Sequence, residues 1–148
     1  MTKTVERMGR WMKADEVFHA WMSADLPRML AARAVKTNPI DRHFLLQGIV
    51  KATYASRADP RMSQLCIETG RIHLGEIETI VRALKADFQG ELLRVPTEAW
   101  LATALAEEGM IDEAVAVCHT AARFGLLDGT KAGYLGRAER LRKKHSRK

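Results

Sequence analysis

The sequence predicts an all-α chain, and three observations support this fold class. Apolar residues recur every three or four positions along most of the 148 residues, as they do on one face of a helix. Capping residues precede prolines at Asp25-Leu26-Pro27, Asn38-Pro39 and Asp59-Pro60, which is typical of helix starts. No segment alternates between apolar and polar residues as a good strand would. The length fits a single domain over residues 1–148.

The first part of the chain is predicted to be a helical extension over residues 1–36. Val5, Met8 and Met12 lie at positions i, i+3 and i+7 there, so they would share one helix face. A series of helical hairpins with short turns is expected over residues 39–126. The breaks between these helices are predicted at Asp59-Pro60, Gly75, the Gln89–Pro96 loop, Gly109 and Gly125. Thr97 and Asp112 are expected to cap the last two of them.

A final helix is predicted within residues 130–148, after the Asp128-Gly129 turn. Tyr134, Ala138 and Leu141 form a narrow apolar stripe on this otherwise charged segment. Such a helix can cap a stack of hairpins, because its stripe covers the last exposed apolar face and its polar side meets solvent. We therefore expect a capping helix followed by a basic tail.

The basic residues concentrate near the ends of the chain, where they account for the net charge of +6. Residues 37–136 carry ten basic and thirteen acidic side chains, so this central part is mildly acidic. The charge therefore does not indicate a uniformly basic, nucleic-acid-binding surface. The C-terminal basic cluster is either a solvated tail or a set of phosphate contacts, and its members are Arg137, Arg140, Arg142, Lys143, Lys144, Arg147 and Lys148.

The distribution of charge and cysteine disfavours membrane and secreted proteins. The longest stretch without a charged residue is Ala114–Ala122, nine residues, whereas a membrane-spanning helix needs about twenty. Acidic and basic residues interrupt the N-terminus, so no secretory signal is expected. The two cysteines, Cys66 and Cys118, do not make a disulfide framework, and we predict a cytoplasmic protein.

Metal binding and catalysis are not expected from the residue pattern. Cys118 and His119 are adjacent and point about 100° apart on a helix, so they cannot share one ion. Cys66 and His73 are separated by about 10.5 Å along a helix, at 1.5 Å per residue, which is too far for shared ligation. A Cys–His pair that uses His43 or His73 has no catalytic signature around it. We therefore predict no cofactor and no enzymatic activity.

The first thirty residues are rich in methionine and tryptophan. They hold five of the seven methionines and two of the three tryptophans, Trp11 and Trp21. Methionine adapts to irregular partners, and tryptophan is enriched at interfaces. The segment either packs on the neighbouring helices or docks on a partner chain or a second copy of the protein.

Residues 97–126 carry the most specific pattern in the sequence. Small and large residues are distributed there so that two helices can approach each other closely. The positions that fit are Leu101, Ala102, Leu105, Gly109, Asp112, Glu113, Ala114, Cys118 and Ala121. The segment resembles a tetratricopeptide repeat, a helical hairpin of about 34 residues. The C-terminal residues also resemble those of small uncharacterised bacterial tetratricopeptide-like proteins.

The resemblance implies a short solenoid of stacked hairpins that binds a peptide or protein partner without catalysis. In this family the first helix of each hairpin lines the concave groove. The groove residues would then be His43, Gln47, Lys51, Tyr54, Ala99, Thr103, Ala106 and Glu107. The alternative is a nucleic-acid-binding protein that contacts phosphates through its basic C-terminal tail. Salt distinguishes the two functions, because phosphate binding weakens steeply as ionic strength rises.

Overall fold

The computed structural model describes residues 3–89 and 93–146. Within these residues the chain forms a two-stranded sheet followed by eight helices, so the mostly helical class is confirmed. None of these helices is long and apolar enough to cross a membrane. The elements, in chain order, are β1 (Thr4–Arg7), β2 (Arg10–Lys13), α1 (Glu16–Ser23), α2 (Leu26–Ala32), α3 (Pro39–Ala55), α4 (Pro60–Gly75), α5 (Ile77–Asp87), α6 (Thr97–Glu107), α7 (Ile111–Arg123) and α8 (Gly133–Ser146).

The chain begins with a β-hairpin, so the helix predicted from Val5, Met8 and Met12 is wrong. Strands β1 and β2 are antiparallel, and Val5 pairs with Met12 across them. Met8 and Gly9 form the turn with φ values of 53° and 77°, the left-handed conformation that two-residue hairpin turns require. Val5 and Met12 pack against Phe18 of α1, so apolar contacts cover one face of the hairpin.

Side chains cap several helices as the sequence predicts. The carboxylates of Asp25 and Asp59 accept hydrogen bonds from backbone N–H groups in the first turns of α2 and α4. Asn38 does the same for α3. Thr97 and Asp112, also expected as caps, lie inside the first turns of α6 and α7 instead. Neither of these two helices has a side-chain capping hydrogen bond.

Helix α3 lies at the centre of the molecule, in contact with α1, α2, α4, α5 and α6. It forms one hairpin with α4, while α6 and α7 form a second, and α6 packs against both helices of the first. Most side chains of α3 are therefore buried or half-buried, and Lys51 and Ala55 are its exposed residues. At the other end of the molecule α8 packs on α7, with Tyr134 and Ala138 buried.

Helix α5 interrupts the regular succession of hairpins. It follows α4 after the single residue Glu76 and packs mainly on α3. An ion pair between Arg42 of α3 and Glu76, 3.0 Å long, holds this corner in place. The helical hairpins are present, whereas their arrangement as a tetratricopeptide-like solenoid stays a prediction.

Helices α4 and α6 approach closely at Gly70. A Cβ atom on Gly70 would lie 2.8 Å from Leu101 Cδ1 and 3.0 Å from Leu101 Cβ, so glycine is the residue that allows this approach. His73 follows Gly70 by one turn. The close contact therefore places His73 beside the first turn of α6, where Glu98 lies.

A buried carboxylate attaches the N-terminal elements to α3. Asp41 is 1% exposed and accepts hydrogen bonds from Arg7 of β1 at 2.9 Å and from Trp21 Nε1 of α1 at 3.0 Å. The side chain of Asn38 also donates to Asp41, at 2.6 Å. Because the charge has several donors around it, burial of Asp41 is tolerated and the hairpin is held on the helical body.

Candidate functional site

The residues expected to line a groove do not form one open surface. His43 and Ala99 are 3% and 5% exposed, so they offer little surface to a partner, and their place in a binding groove stays a prediction. Gln47 is half-buried, and its Oε1 accepts a hydrogen bond from Thr97 Oγ1 at 2.9 Å. His43 and Gln47 are covered because α5 and α6 pack against α3.

The other predicted groove residues are more accessible. Lys51 and Glu107 are exposed, and the half-buried ones are Tyr54, Thr103 and Ala106. Arg57 connects two members of this set, since its guanidinium lies 3.9 Å from the ring centre of Tyr54 and its Nε lies 2.8 Å from Glu107 Oε1. The structure therefore brings Tyr54 and Glu107 together through Arg57. This arginine already covers the ring face of Tyr54 and pairs with the carboxylate of Glu107.

A chain of buried polar side chains links α3, α4 and α6. His43 Nδ1 lies 2.9 Å from His73 Nε2, and His73 Nδ1 lies 2.5 Å from Glu98 Oε1. The three residues are 3%, 0% and 0% exposed. The second carboxylate oxygen, Glu98 Oε2, is buried without a hydrogen-bond partner among the described residues. Such an oxygen is costly and rare in folded proteins, which marks the Glu98–His73–His43 chain as a candidate site.

The protonation of Glu98 determines which ring nitrogens carry hydrogen. An ionised Glu98 accepts from Nδ1–H of His73, which leaves Nε2 of His73 as an acceptor. His43 then donates from Nδ1–H, and its own Nε2 carries a lone pair. A protonated Glu98 reverses each of these hydrogen bonds and makes Nε2 of His43 a donor. The two states differ by one proton, and both imidazoles are neutral in each.

Burial disfavours charge on His43 and on Tyr134, which lies near Glu98. Burial, together with the nearby His73, lowers the pKa of His43 from 6.5 to about 3. Burial, together with the charge of Glu98, raises the pKa of Tyr134 above its ordinary value. The hydroxyl of Tyr134 donates to the carbonyl oxygen of Val95 at 2.5 Å. His43 is therefore neutral at ordinary pH.

A cavity of about 230 Å³ lies beside His43. The polar side chains in its wall are His43, Gln47 and Arg94, and the apolar ones are Phe44, Leu84, Phe88, Leu93 and Val95. Nε2 of His43 makes no hydrogen bond to the described residues. It is not one of the fully buried side-chain nitrogen and oxygen atoms without a partner, since Glu98 Oε2 is the single such atom in the described part of the protein. His43 is thus one of the polar side chains in the wall of this cavity.

The burial of Glu98 and His73 has a signal in the sequence, although no short motif contains either residue. Glu98 precedes Leu101 and Leu105 by three and seven residues, so it lies on the buried face of α6. His73 follows Gly70 by three residues on the buried face of α4. A titratable residue on an apolar helix face needs a partner when it is buried. That these two residues meet each other depends on how α4 and α6 pack, which the sequence does not reveal.

A larger groove of about 830 Å³ runs along α4 to the turn between α6 and α7. We call it the α4 groove, and its lining residues are Pro60, Arg61, Ser63, Gln64, Ile67, Glu68, Arg71, Glu108 and Met110. Two of its charged side chains already have partners outside it, Arg71 with Glu113 at 2.8 Å and Glu68 with Arg33 at 2.9 Å. Its volume falls in the range of about 300–1,000 Å³ that is typical of ligand pockets.

Helix α8 presents part of the predicted basic cluster to solvent. Its exposed basic residues are Arg140, Arg142, Lys143 and Lys144. Arg137 differs from these, because it is half-buried and pairs with Asp128 at 3.0 Å. The last two predicted phosphate contacts, Arg147 and Lys148, lie outside the described residues.

The two cysteines are free and buried. Burial raises the pKa of the Cys66 thiol, and it raises the pKa of Cys118 to about 11. Both thiols therefore stay protonated near neutral pH and are poor nucleophiles. Within the described residues, no group of three or more His, Cys, Asp or Glu side chains is placed to hold a metal ion.

The tryptophans and methionines near the N-terminus divide between core and surface. Met29 is 2% exposed, and Trp21 stacks on Phe44 with the ring centres 4.9 Å apart. Trp11 on β2 and Met22 at the end of α1 are 72% and 53% exposed. Trp11 is thus the large aromatic side chain of this segment that is open to a partner.

Comparison of the chain with protein-family models, with curated proteins and with solved structures gave no match. Three features of the described residues remain as candidates for function. They are the α4 groove, the Glu98–His73–His43 chain with its cavity, and the exposed basic face of α8.

Proposed function

We propose that the protein is a non-enzymatic interaction module that binds an extended peptide segment of a partner protein in the α4 groove. The observation that carries this proposal is the position of the groove, which runs along α4 of the first hairpin to the turn of the second. Stacked helical hairpins commonly bind their partners on such extended surfaces. The family resemblance of residues 97–126 supports the same class of function.

The chemistry of the α4 groove favours a peptide with little net charge. Arg71 is already paired with Glu113, so an acidic peptide gains little by approaching it. Ile67 and Met110 supply apolar contacts, and methionine adapts to side chains of irregular shape. We therefore propose a polar or apolar segment as the occupant.

Displayed random peptides selected on the wild-type protein provide the test. Gln64 is exposed on α4, so Gln64→Trp fills the groove without disturbing the core. Arg82→Trp is the control, because it introduces the same side chain at a position that is 78% exposed on α5, outside the groove. We expect the selected peptides to bind the wild type and R82W alike, and to bind Q64W at least about tenfold more weakly.

Equal affinity for Q64W and the wild type would exclude the α4 groove as the binding site. Thr103→Trp then tests the concave surface that the family resemblance implies, because Thr103 is half-buried on α6. Peptides that lose affinity for T103W but not for Q64W would locate the site on α6.

A second candidate function, nucleic-acid binding, is favoured by the exposed basic side chains of α8. Phosphate contacts release counterions, so the affinity should fall steeply as salt rises. Neutralising three contacts with Arg142→Gln, Lys143→Gln and Lys144→Gln should make this dependence shallower. Fluorescence anisotropy of a labelled oligonucleotide measures both effects. Affinity that responds neither to salt nor to the triple substitution would rule this function out.

Two further expectations, self-association and a cytoplasmic location, remain proposals. Trp11 supports the first, since 72% of it is exposed on an open hairpin. Light scattering of the wild type and of Trp11→Ser checks whether the hairpin holds a dimer together. Cys66 and Cys118 support the second, because buried free thiols suit a reducing compartment.

A further inference from the structure

We propose that strand β2 binds an extended acidic segment of a partner protein, which pairs with it as a third strand of the N-terminal sheet. The acidic side chains of this segment would meet Arg10 and Lys13. We call the binding surface the β2 edge, and it consists of the outer backbone edge of β2 with the side chains of Arg10, Trp11 and Lys13. It is separate from the α4 groove, because the two share no residue.

The hydrogen bonds of the hairpin show which backbone groups of β2 point outward. The N–H of Ala14 donates to the carbonyl oxygen of Lys3 at 2.9 Å, so these two residues face each other across the two strands. The register continues without a break along β1 and β2. In an antiparallel pair, residues with inward and outward backbone groups alternate. The N–H and C=O groups of Trp11 and Lys13 therefore point away from β1.

The two edges of the hairpin differ in how far the protein itself occupies them. On β1, the outward carbonyl oxygen of Glu6 accepts a hydrogen bond from Nη1 of Arg7 at 2.8 Å. On β2, the sheet of the described residues has no third strand to pair with Trp11 and Lys13. An unpaired strand edge is a template for an extended chain, which adds to it through backbone hydrogen bonds. Strand β2 thus provides the open edge.

The side chains of the β2 edge determine the charge of the segment that fits it. Arg10 and Lys13 are exposed, and none of the ion pairs among the described residues includes either of them. The acidic residue of the two strands, Glu6, lies on β1 opposite Trp11, on the side away from the open edge. Opposite charges stabilise cross-strand pairs and like charges destabilise them. The charges therefore favour an acidic strand.

Two other occupants match the β2 edge less well. Pairing with β2 of a second copy would bring further arginine and lysine side chains to the same edge, and neither strand has an acidic residue to pair with them. Single-stranded nucleic acid can stack a base on Trp11, which is 72% exposed, and its phosphates attract cations. Its backbone, however, lacks the alternating N–H and C=O groups that a strand edge requires. An acidic peptide complements both the charges and the backbone groups.

Antiparallel pairing defines the sequence that the β2 edge should prefer. Along the partner segment, successive residues lie opposite Lys13, Met12, Trp11 and Arg10. Glutamate suits the first and last of these positions because of its charge. Valine suits the second as a β-branched residue, and tyrosine suits the third because aromatic cross-strand pairs are favourable. The preferred core sequence is therefore Glu-Val-Tyr-Glu.

A fluorescein-labelled peptide with this core sequence tests the proposal by fluorescence anisotropy on the full-length protein. We expect saturable binding to the wild type and at least about tenfold weaker binding to the double variant Arg10→Gln, Lys13→Gln. Arg82→Gln with Lys85→Gln is the matched control, because it removes the same charge from exposed positions of α5, and it should bind like the wild type.

A second peptide separates strand pairing from simple attraction between charges. It carries N-methyl groups on the tyrosine and the first glutamate, the residues that should exchange backbone hydrogen bonds with Trp11 and Lys13. Its charge is unchanged but these N–H groups are missing, so we expect at least about tenfold weaker binding to the wild type. This comparison uses the wild-type protein, so it does not depend on the folding of any variant.

Three results would overturn the proposal: no saturable binding to the wild type, unchanged affinity for R10Q/K13Q, or equal affinity for the two peptides. Displacement of the peptide by a lower concentration of a single-stranded oligonucleotide would assign the β2 edge to nucleic acid instead. A wild-type dimer in light scattering that must dissociate before the peptide binds would assign this edge to a second copy.

Discussion

At the scale of single residues, burial of His43 makes the stability of the folded protein depend on pH. The pKa of His43 is lowered from 6.5 to about 3, because the ring is buried beside His73. The unfolded chain therefore binds one more proton than the folded chain between about pH 3 and 6.5. The free energy of unfolding should rise with pH across this window, by up to about 1.4 kcal/mol per pH unit from this group. Above the window its contribution stays constant.

Urea unfolding of the wild type and His43→Gln across this pH window measures the effect. The difference between the two curves isolates His43 from the carboxylates that titrate in the same range. We expect a shallower rise for H43Q, while His19→Gln, an exposed position, should follow the wild type. Parallel curves for H43Q and the wild type would contradict the lowered pKa.

The sequence reveals the parts of the candidate site but not their assembly. The burial of Glu98 and His73 follows from their places on apolar helix faces. The Glu98–His73–His43 chain lies on three helices. His43 and His73 are 30 positions apart and His73 and Glu98 are 25 apart, so no local spacing rule detects these contacts. The spacing along one helix excludes a shared metal ion for Cys66 and His73, but it gives no information on contacts between different helices.

At the scale of helices, the α4–α6 interface depends on the missing side chain at Gly70. Gly70→Ala should lower the free energy of unfolding by about 1–3 kcal/mol, because the new Cβ meets Leu101 Cβ and Cγ at 3.0 and 3.1 Å and α6 must shift. Gly75→Ala is the matched control at the end of the same helix, where an added Cβ has no neighbour within 4 Å. Alanine there should be neutral or stabilising by up to about 1 kcal/mol. Urea denaturation compares the two, and equal effects would mean that α6 does not approach Gly70.

Packing within the α6–α7 hairpin gives a second prediction at this scale. Ala114 is 0% exposed, whereas Ala116 on the same helix is exposed. Ala114→Leu should cost about 1–3 kcal/mol by overpacking, and Ala116→Leu should change stability by less than about 0.5 kcal/mol. Thermal denaturation followed by circular dichroism distinguishes them. Small, equal effects would contradict the alignment of residues 97–126 with a tetratricopeptide repeat.

Most helices could be predicted from the sequence, but the N-terminal hairpin could not. Helix starts at Asp25 and Asp59 depend on local capping, which a sequence shows directly. The spacing of Val5 and Met12 satisfies a helix face, and it equally satisfies a cross-strand pair. The Met8–Gly9 turn lacks the Asn-Gly signal of such hairpins. Contacts with Phe18 of α1 favour the hairpin, and these arise only in the folded molecule.

At the scale of the whole molecule, the position of α5 determines which surfaces are open. The amphipathic pattern of α5, formed by Ile77, Ile80, Val81 and Leu84, is evident in the sequence. The sequence does not show which other helix this apolar face packs against. In the structure it packs on α3, where His43 is buried and Gln47 is half-buried. A groove lies open along α4.

Truncation of the C-terminus separates the stabilising part of α8 from its basic end. Tyr134 and Ala138 are 2% and 1% exposed against the rest of the molecule, and Tyr134 also bonds to Val95 before α6. Removal of every residue after Thr130 should therefore uncover apolar surface of α7, destabilise the fold by more than about 3 kcal/mol and cause aggregation. Removal of residues 145–148 takes away no fully buried side chain of the described part, and the melting temperature should stay unchanged. Light scattering and thermal denaturation measure both outcomes. If the protein that ends at Thr130 remains monomeric and as stable as the wild type, α8 does not cap the stack. The whole segment after Thr130 would then be free to act as a basic binding arm.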